Sequence, residues 1–210
     1  MQFNNQIFLR DCDGRFGAHT ATQKSGLGFL LGQIAQDSGV TMIREAAYML
    51  ATVRAESSSF QPVKEKRASP TRQPKLYRTQ SRYWGTGFYG RGFVQLTHKD
   101  KYQKAGRHLA GMSITLNNNP LIINSTTFVN KPDLVLQPEI AYLILSRGMR
   151  EGWFRKRKNG TPYKLSDFIK EGQPPDYLNA RNIINAPSDR AGEIAGYADK
   201  FELALRASRI

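Results

Sequence analysis

Two glutamates, Glu56 and Glu65, stand nine positions apart and carry the side chains best suited to acid–base chemistry. Hydrolysis of a glycosidic bond uses one protonated carboxyl group to donate to the leaving oxygen and one ionised carboxylate to activate water. Pro62 lies between the two residues, so one continuous helix cannot carry both. The chain must therefore fold back if both carboxyl groups are to act on one bond.

The surroundings of the two glutamates differ in a way that favours opposite protonation states. Glu56 stands at the end of an apolar segment, where partial loss of water favours the protonated form. Glu65 lies among Lys64, Lys66 and Arg67, whose charges favour the ionised form. From the residues alone, two surface glutamates beside cations are the commoner arrangement.

A glycine-rich motif follows these glutamates. Segment 89–102 reads YGRGFVQLTHKDKY, in which glycines permit tight turns ahead of an apolar–polar alternation. The apolar–polar alternation over 93–97 predicts that Gln95 and Thr97 share one face. Arg91 could orient a catalytic carboxylate or form an ordinary structural ion pair, and its residue type alone leaves both open.

Five segments, in this order along the chain, resemble glycoside hydrolase family 19, a chitinase-type fold that also includes cell-wall lysins of phages and prophages. The segments are QIFLRDCDGRFG, AAYMLATVRAESSSFQPVKE, FYGRGFVQLTHKDKYQKAG, KPDLVLQPEIAYLILSRGMREGWF and NARNIINAPSDRAGEIAGYADKF. The resemblance covers nearly the whole chain, and the YGRG element followed by QLT is its most specific part.

This resemblance implies a role for each matching residue. It makes Glu56 the general acid and Glu65 the general base, and Thr97 the hydroxyl residue that helps to hold the attacking water. Gln95 and Asn185 match positions that contact the sugar chain, and Tyr89 is expected to form a wall of the cleft. The family is an inverting one, which implies carboxyl groups about 6.5–9.5 Å apart with water between them.

Three positions depart from the family pattern. Ala55 stands where many relatives have a histidine directly before the acid, and Ala186 stands where glycine is usual. Glu193 lies near a position at which plant members carry arginine. Because none of these changes removes a catalytic carboxyl group or the Thr97 hydroxyl, we expect activity to survive.

The elements that must position these residues are mainly helical. Apolar spacings of three and four residues predict helices over 23–36, 42–56, 99–109, 138–150, 165–170 and 188–207. Thr41 is the expected N-cap of the second helix, and the sequence Asp37-Ser38-Gly39 ends the first. Segment 57–92 is rich in proline, arginine, glycine and aromatic residues, which predicts loops with a short hairpin.

The charge of the chain points to anionic partners. The 210 residues carry a formal net charge of +14, from 31 basic and 17 acidic residues. Segment 64–107 holds twelve basic and two acidic residues, and segment 147–158 holds six basic residues and one acidic residue. Such a basic face attracts nucleic acid, anionic lipid or an anionic cell-wall polymer, although a solvated face is the ordinary explanation of a charge run.

Several classes of protein are disfavoured by composition. Cys12 is the only cysteine, which excludes an intrachain disulfide bond and a multi-cysteine metal site, and His19, His98 and His108 lack close ligand spacing. The longest apolar runs are far below the roughly 20 residues of a membrane span. Met1–Gln6 is polar, so we expect no signal peptide. We also expect no metal and no cofactor.

We therefore expect one mainly α catalytic domain over 1–210, a lysozyme-like, two-lobed helical fold with a long irregular or short-hairpin insertion. The expected function is cleavage of β-1,4 bonds in bacterial peptidoglycan by a monomer that meets the anionic bacterial envelope through its basic face. If phage-encoded, it would reside in the host cytoplasm before release to the cell wall. Chitin oligomers are an alternative substrate, and a non-catalytic cationic protein that binds cell wall or nucleic acid is the alternative from another class.

Overall fold

The computed structural model describes residues 1–116, 118–186 and 190–210. These residues are mainly helical, with two small antiparallel sheets of two strands each, which confirms the mainly α prediction. The chain divides into two compact units, the first formed by 1–61 and 145–210 and the second by 62–144.

The elements are numbered in chain order. The helices are α1 (Asn5–Phe16), α2 (Ala21–Gln36), α3 (Ile43–Glu56), α4 (Pro74–Ser81), α5 (Lys99–His108), α6 (Thr127–Asn130), α7 (Pro138–Glu151), α8 (Leu165–Phe168), α9 (Tyr177–Ala180) and α10 (Ala191–Ser208). The strands are β1 (Val63–Lys64), β2 (Arg91–Gly92), β3 (Ser113–Leu116) and β4 (Asn119–Ile122). Short 3-10 turns occupy Trp84–Thr86, Pro132–Leu136 and Arg181–Ile183.

The core of the first unit forms where α3 packs against α10, with α1 also against α10. Residues 46–51 of α3 are all buried, as expected for a helix whose apolar residues cover more than one stripe. On α10 the predicted apolar face is confirmed, because Ile194, Ala198, Phe201 and Leu205 are all buried. The predicted first residues of this helix, 188 and 189, lie outside the described residues.

The ends of the helices in the first unit correct two expectations. Thr41 is not the N-cap of α3, because Met42 takes that position and the buried Glu45 carboxylate accepts the N–H groups of both residues, at 3.1 and 3.2 Å. Helix α1 was not predicted at all. Its buried residues are Phe8 and Cys12, one helical turn apart, and this apolar stripe is too narrow to stand out among polar neighbours.

In the second unit, β1 and β2 form an antiparallel ribbon in which Val63 pairs with Gly92 and Lys64 with Arg91. The long connection between these strands contains α4, where the sequence predicted only loops and a hairpin. Positions 93–95 form a turn, in which Gln95 has a positive φ of 51°. Val94 and Leu96 are buried, whereas Gln95 and Thr97 are half-buried.

The remaining predicted helices are confirmed with small changes at their ends. Helix α2 begins at Ala21 behind a capping box formed by Thr20 and Gln23, and α7 extends to Glu151. Helix α8 ends at Phe168, two residues before the expected position. Among the described residues, no helix is both long enough and apolar enough to cross a membrane.

Candidate active site

The Glu65 side chain is held by the glycine-rich turn of the second unit. Its backbone N–H donates to the carbonyl oxygen of Gly90 at 2.8 Å, and the N–H of Gly90 donates back to Oε2 of Glu65 at 2.8 Å. A side chain at position 90 would collide with this arrangement, since a Cβ there would lie 2.6 Å from Oε1 of Gln95 and 3.3 Å from Oε2 of Glu65. Glycine is therefore required where the turn approaches the carboxylate.

The other carboxylate oxygen of Glu65 is bound by two side chains from α4 and the residues after it. Nε2 of Gln80 donates to Oε1 at 2.9 Å, and the hydroxyl of Tyr83 donates to the same atom at 2.7 Å. Burial and this hydrogen bond to Glu65 raise the pKa of Tyr83, so its hydroxyl remains a donor at neutral pH. Three neutral donors thus hold the carboxylate.

Two of the cations that flank Glu65 in the sequence contact other groups in the fold. The neighbouring cations turn to other partners: Nζ of Lys64 lies 3.4 Å from Asp133, and Arg67 donates to Ser81 at 2.7 Å. The hydrogen bonds to Glu65 come instead from an amide, a hydroxyl and a backbone N–H. These bonds fix the position of the carboxylate without an ion pair.

Gln95 and Thr97 lie on the same turn as Gly90. Nε2 of Gln95 donates to the carbonyl oxygens of Val63 at 3.0 Å and Gly92 at 3.2 Å, which leaves Oε1 beside Gly90 and Glu65. The half-buried Thr97 donates its hydroxyl proton to the carbonyl of Gln95 at 2.8 Å. The second unit therefore gathers three of the expected site residues, namely Glu65, Gln95 and Thr97.

Tyr89 is half-buried, and its ring lies between two neighbours. Trp84 stacks on it with centroids 4.4 Å apart, and the guanidinium carbon of Arg91 lies 4.1 Å from the ring centroid. Arg91 forms the structural ion pair that was one of its two alternatives, with Nε 2.6 Å from Asp133.

The first unit carries Glu56 and Asn185. Glu56 is the last residue of α3, and its Oε1 lies 2.9 Å from the guanidinium of Arg181, whose side chain is only 3% exposed. The N–H of Asn185 donates to the carbonyl of Arg181 at 2.9 Å, one turn further along the chain. Arg181 therefore links both expected residues of this unit, while Asn185 itself is exposed.

The ion pair of Glu56 differs from the apolar surroundings that its sequence position indicated. A salt bridge to a buried guanidinium is a contact of the ionised carboxylate, whereas a general acid starts the reaction with a proton. Beside it, the carbonyl of Ala55 accepts a hydrogen bond of 2.7 Å from Arg190. Ala55 and Glu56 thus each contact an arginine side chain.

Sequence patterns did not reveal Gln80, Tyr83 or Arg181 as partners of the two glutamates. Gln80 lies in the last turn of α4 and Tyr83 two residues beyond its end, and only the tertiary fold shows that both meet Glu65. In the described part of the chain, no group of three histidine, cysteine or acidic side chains is placed to hold a metal ion.

Comparison of the chain with protein-family models, with curated proteins and with solved structures found no match. The likeness to glycoside hydrolase family 19 thus remains a sequence resemblance, carried by the motifs quoted above.

Proposed function

We propose that this protein is a lysozyme-like glycoside hydrolase that cleaves β-1,4 bonds of bacterial peptidoglycan by an inverting, two-carboxylate mechanism. The observation that carries the proposal is the set of three neutral donors that hold Glu65, with Gln95 and Thr97 on the same turn. A general base needs a carboxylate that is fixed in place and still able to accept a proton.

In this mechanism Glu65 accepts a proton from water as the water oxygen attacks the anomeric carbon. The Thr97 hydroxyl already donates its proton to a carbonyl, so its lone pairs can accept a hydrogen bond from that water. Glu56 gives its proton to the leaving oxygen as the glycosidic bond breaks, and both carboxyl groups act in a single displacement. Gln95 and Asn185 are assigned to contacts with the sugar chain.

Arg181 has a defined part in this scheme. When Glu56 releases its proton it becomes a carboxylate, and the buried guanidinium 2.9 Å away stabilises that product of proton transfer.

Peptidoglycan is favoured over chitin because of the charge of the second unit. Residues 66–82 include six basic side chains and no acidic one. Lys75 and Arg78 are exposed on α4, next to Leu76, whose side chain is also exposed. This cationic surface suits the anionic polymers of a bacterial envelope, which uncharged chitin lacks.

The test uses purified peptidoglycan with wild type, Glu56→Gln and Glu65→Gln, and with Glu171→Gln as a control at an exposed glutamate. Mass spectrometry of the soluble products identifies the bond cut, and circular dichroism checks folding. We expect at least a 100-fold loss of product release in both site variants and none in the control. Undiminished release by both site variants would refute the assignment, and faster cleavage of chitin oligomers would overturn the preferred substrate.

A further inference from the structure

A separate pocket of about 530 Å³ lies within the second unit. Its apolar wall is formed by Tyr89, Pro132 and Leu134, and its charged groups include Lys64, Lys131 and Asp133. This volume falls in the range of about 300–1,000 Å³ that is typical of sites for small molecules.

The charged groups of the pocket are fixed by a buried anchor. The Arg91 side chain, 3% exposed, donates to the Asp133 carboxylate at 2.6 Å, to the carbonyl of Gly87 at 2.9 Å and to the hydroxyl of Tyr102 at 2.9 Å. Burial opposes ionisation of Asp133, but the hydrogen bond and charge of Arg91 outweigh it and hold the pKa of this carboxyl below its usual range. Asp133 is thus an ionised group on a rigid support.

Cations outnumber the carboxylate in this pocket. Nζ of Lys64 lies 3.4 Å from Asp133 and 5.4 Å from the centroid of the Tyr89 ring. Lys131 is exposed at the rim, and Arg91 is the third cation among the lining residues. Three cations to one anion leave a net positive charge beside an apolar wall, which favours a small anion that also carries apolar groups.

This pocket lies on the opposite side of the ribbon from the proposed base. Lys64 and Glu65 are consecutive residues of extended chain, and the hydrogen bond from Glu65 to Gly90 continues the ladder of β1 and β2. Successive side chains of a strand point to opposite faces. A ligand of the pocket would therefore meet Lys64 and not the Glu65 carboxylate.

We propose that this pocket binds a short peptide with a free carboxylate, which in the proposed substrate is the stem peptide of peptidoglycan. The proposal rests on the function proposed above, because it adds recognition of the peptide to recognition of the sugar chain. Alanyl methyl groups of the peptide would contact Tyr89, Pro132 and Leu134, its carboxylates would pair with the lysines, and an amino group would pair with Asp133.

The test titrates the full chain with the synthetic peptide L-Ala-γ-D-Glu-meso-diaminopimelyl-D-Ala, by calorimetry and by ¹⁵N chemical-shift mapping. Shifts at Tyr89, Leu134 and Gln137 are expected. Lys131→Ala should weaken binding about fivefold, the effect of one exposed ion pair, and Lys158→Ala, at an exposed lysine outside the pocket, should leave binding unchanged. A peptide with amidated carboxyl groups should bind at least tenfold more weakly than the free acid.

Absence of binding at millimolar peptide, shifts elsewhere on the chain, or displacement of the peptide by a chitin tetramer would each overturn the proposal. Binding of the peptide does not require hydrolysis of the sugar chain, so the peptide-binding proposal and the proposed function can be refuted independently. Hydrolysis without peptide binding would refute the pocket alone, and peptide binding without hydrolysis would refute the catalytic function alone.

Discussion

Replacement of Gly90 by alanine tests the close approach on which the geometry of Glu65 depends. The added methyl carbon would lie 2.6 Å from Oε1 of Gln95 and 3.3 Å from Oε2 of Glu65, both inside ordinary contact distance. The Gln95 side chain is the group that must move, because its amide is nearest. It can move only by giving up hydrogen bonds to the carbonyls of Val63 and Gly92.

The expected loss of stability follows from those two bonds. Each contributes about 1 kcal/mol, so the displacement costs about 2 kcal/mol, within the roughly 1–3 kcal/mol typical of overpacking. A change from glycine to alanine also restricts the unfolded chain, which stabilises the folded state by about 0.4–1 kcal/mol. We therefore expect Gly90→Ala to lower the free energy of unfolding by about 1–2 kcal/mol. If Glu65 is displaced by about 1 Å, hydrolysis should fall about 100-fold.

Urea unfolding followed by fluorescence measures the first effect, and product release from peptidoglycan measures the second. Gly85→Ala is the matched control, because nothing lies within 4 Å of a Cβ at that position and its φ is not positive. It should leave stability unchanged or raise it slightly. In a Gln95→Ala background the cost of Gly90→Ala should shrink to near zero. An equal cost in both backgrounds would show that the clash with Gln95 is not the cause.

Three further outcomes are expected. Arg181→Met removes the cation of a pair in which Glu56 is only 20% exposed. Because it leaves a largely buried carboxylate unpaired, it should lower the free energy of unfolding by about 3 kcal/mol. A change below about 1 kcal/mol in urea unfolding would contradict this. Burial raises the pKa of the Cys12 thiol to about 12, so the folded protein should not react with a thiol reagent at pH 8, whereas the protein in urea should react fully. Burial opposes ionisation of Glu202, but hydrogen bonds from Tyr177 and two arginines outweigh it and hold its pKa below the ordinary value of 4.5. The stability that the ionised Glu202 contributes to the fold is therefore present above pH 4.5 and lost as pH falls through the lowered pKa. Glu202→Gln should destabilise the protein by about 1–2 kcal/mol at pH 7. In acid unfolding below pH 4, the difference between wild type and variant should become progressively smaller.

The success of the sequence in placing helices, and its failure with the segment after Gly92, have one physical origin. The face of α10 depends on a local period, so Ile194 and Leu205 are correctly placed in the core from spacing alone. The alternation over 93–97 does not show that Gln95 adopts a positive φ within a turn. There the turn is held by side-chain bonds to backbone groups, including one from Gln95 to Val63, 32 positions earlier. Such a long-range contact leaves no local pattern.

The same distinction decides how much of the candidate site could be predicted. Motif similarity named Glu56 and Glu65, but the reasons inferred for their protonation states came from adjacent residues, namely flanking cations and a helix end. In the fold, the partners of Glu65 come from 15, 18 and 25 positions away, and the cation that pairs with Glu56 comes from 125 positions away. The charge state of a carboxyl group depends on the donors within hydrogen-bond distance of it. Those donors are brought together by tertiary packing, so the electrostatic environment of the two glutamates could not be predicted from the sequence.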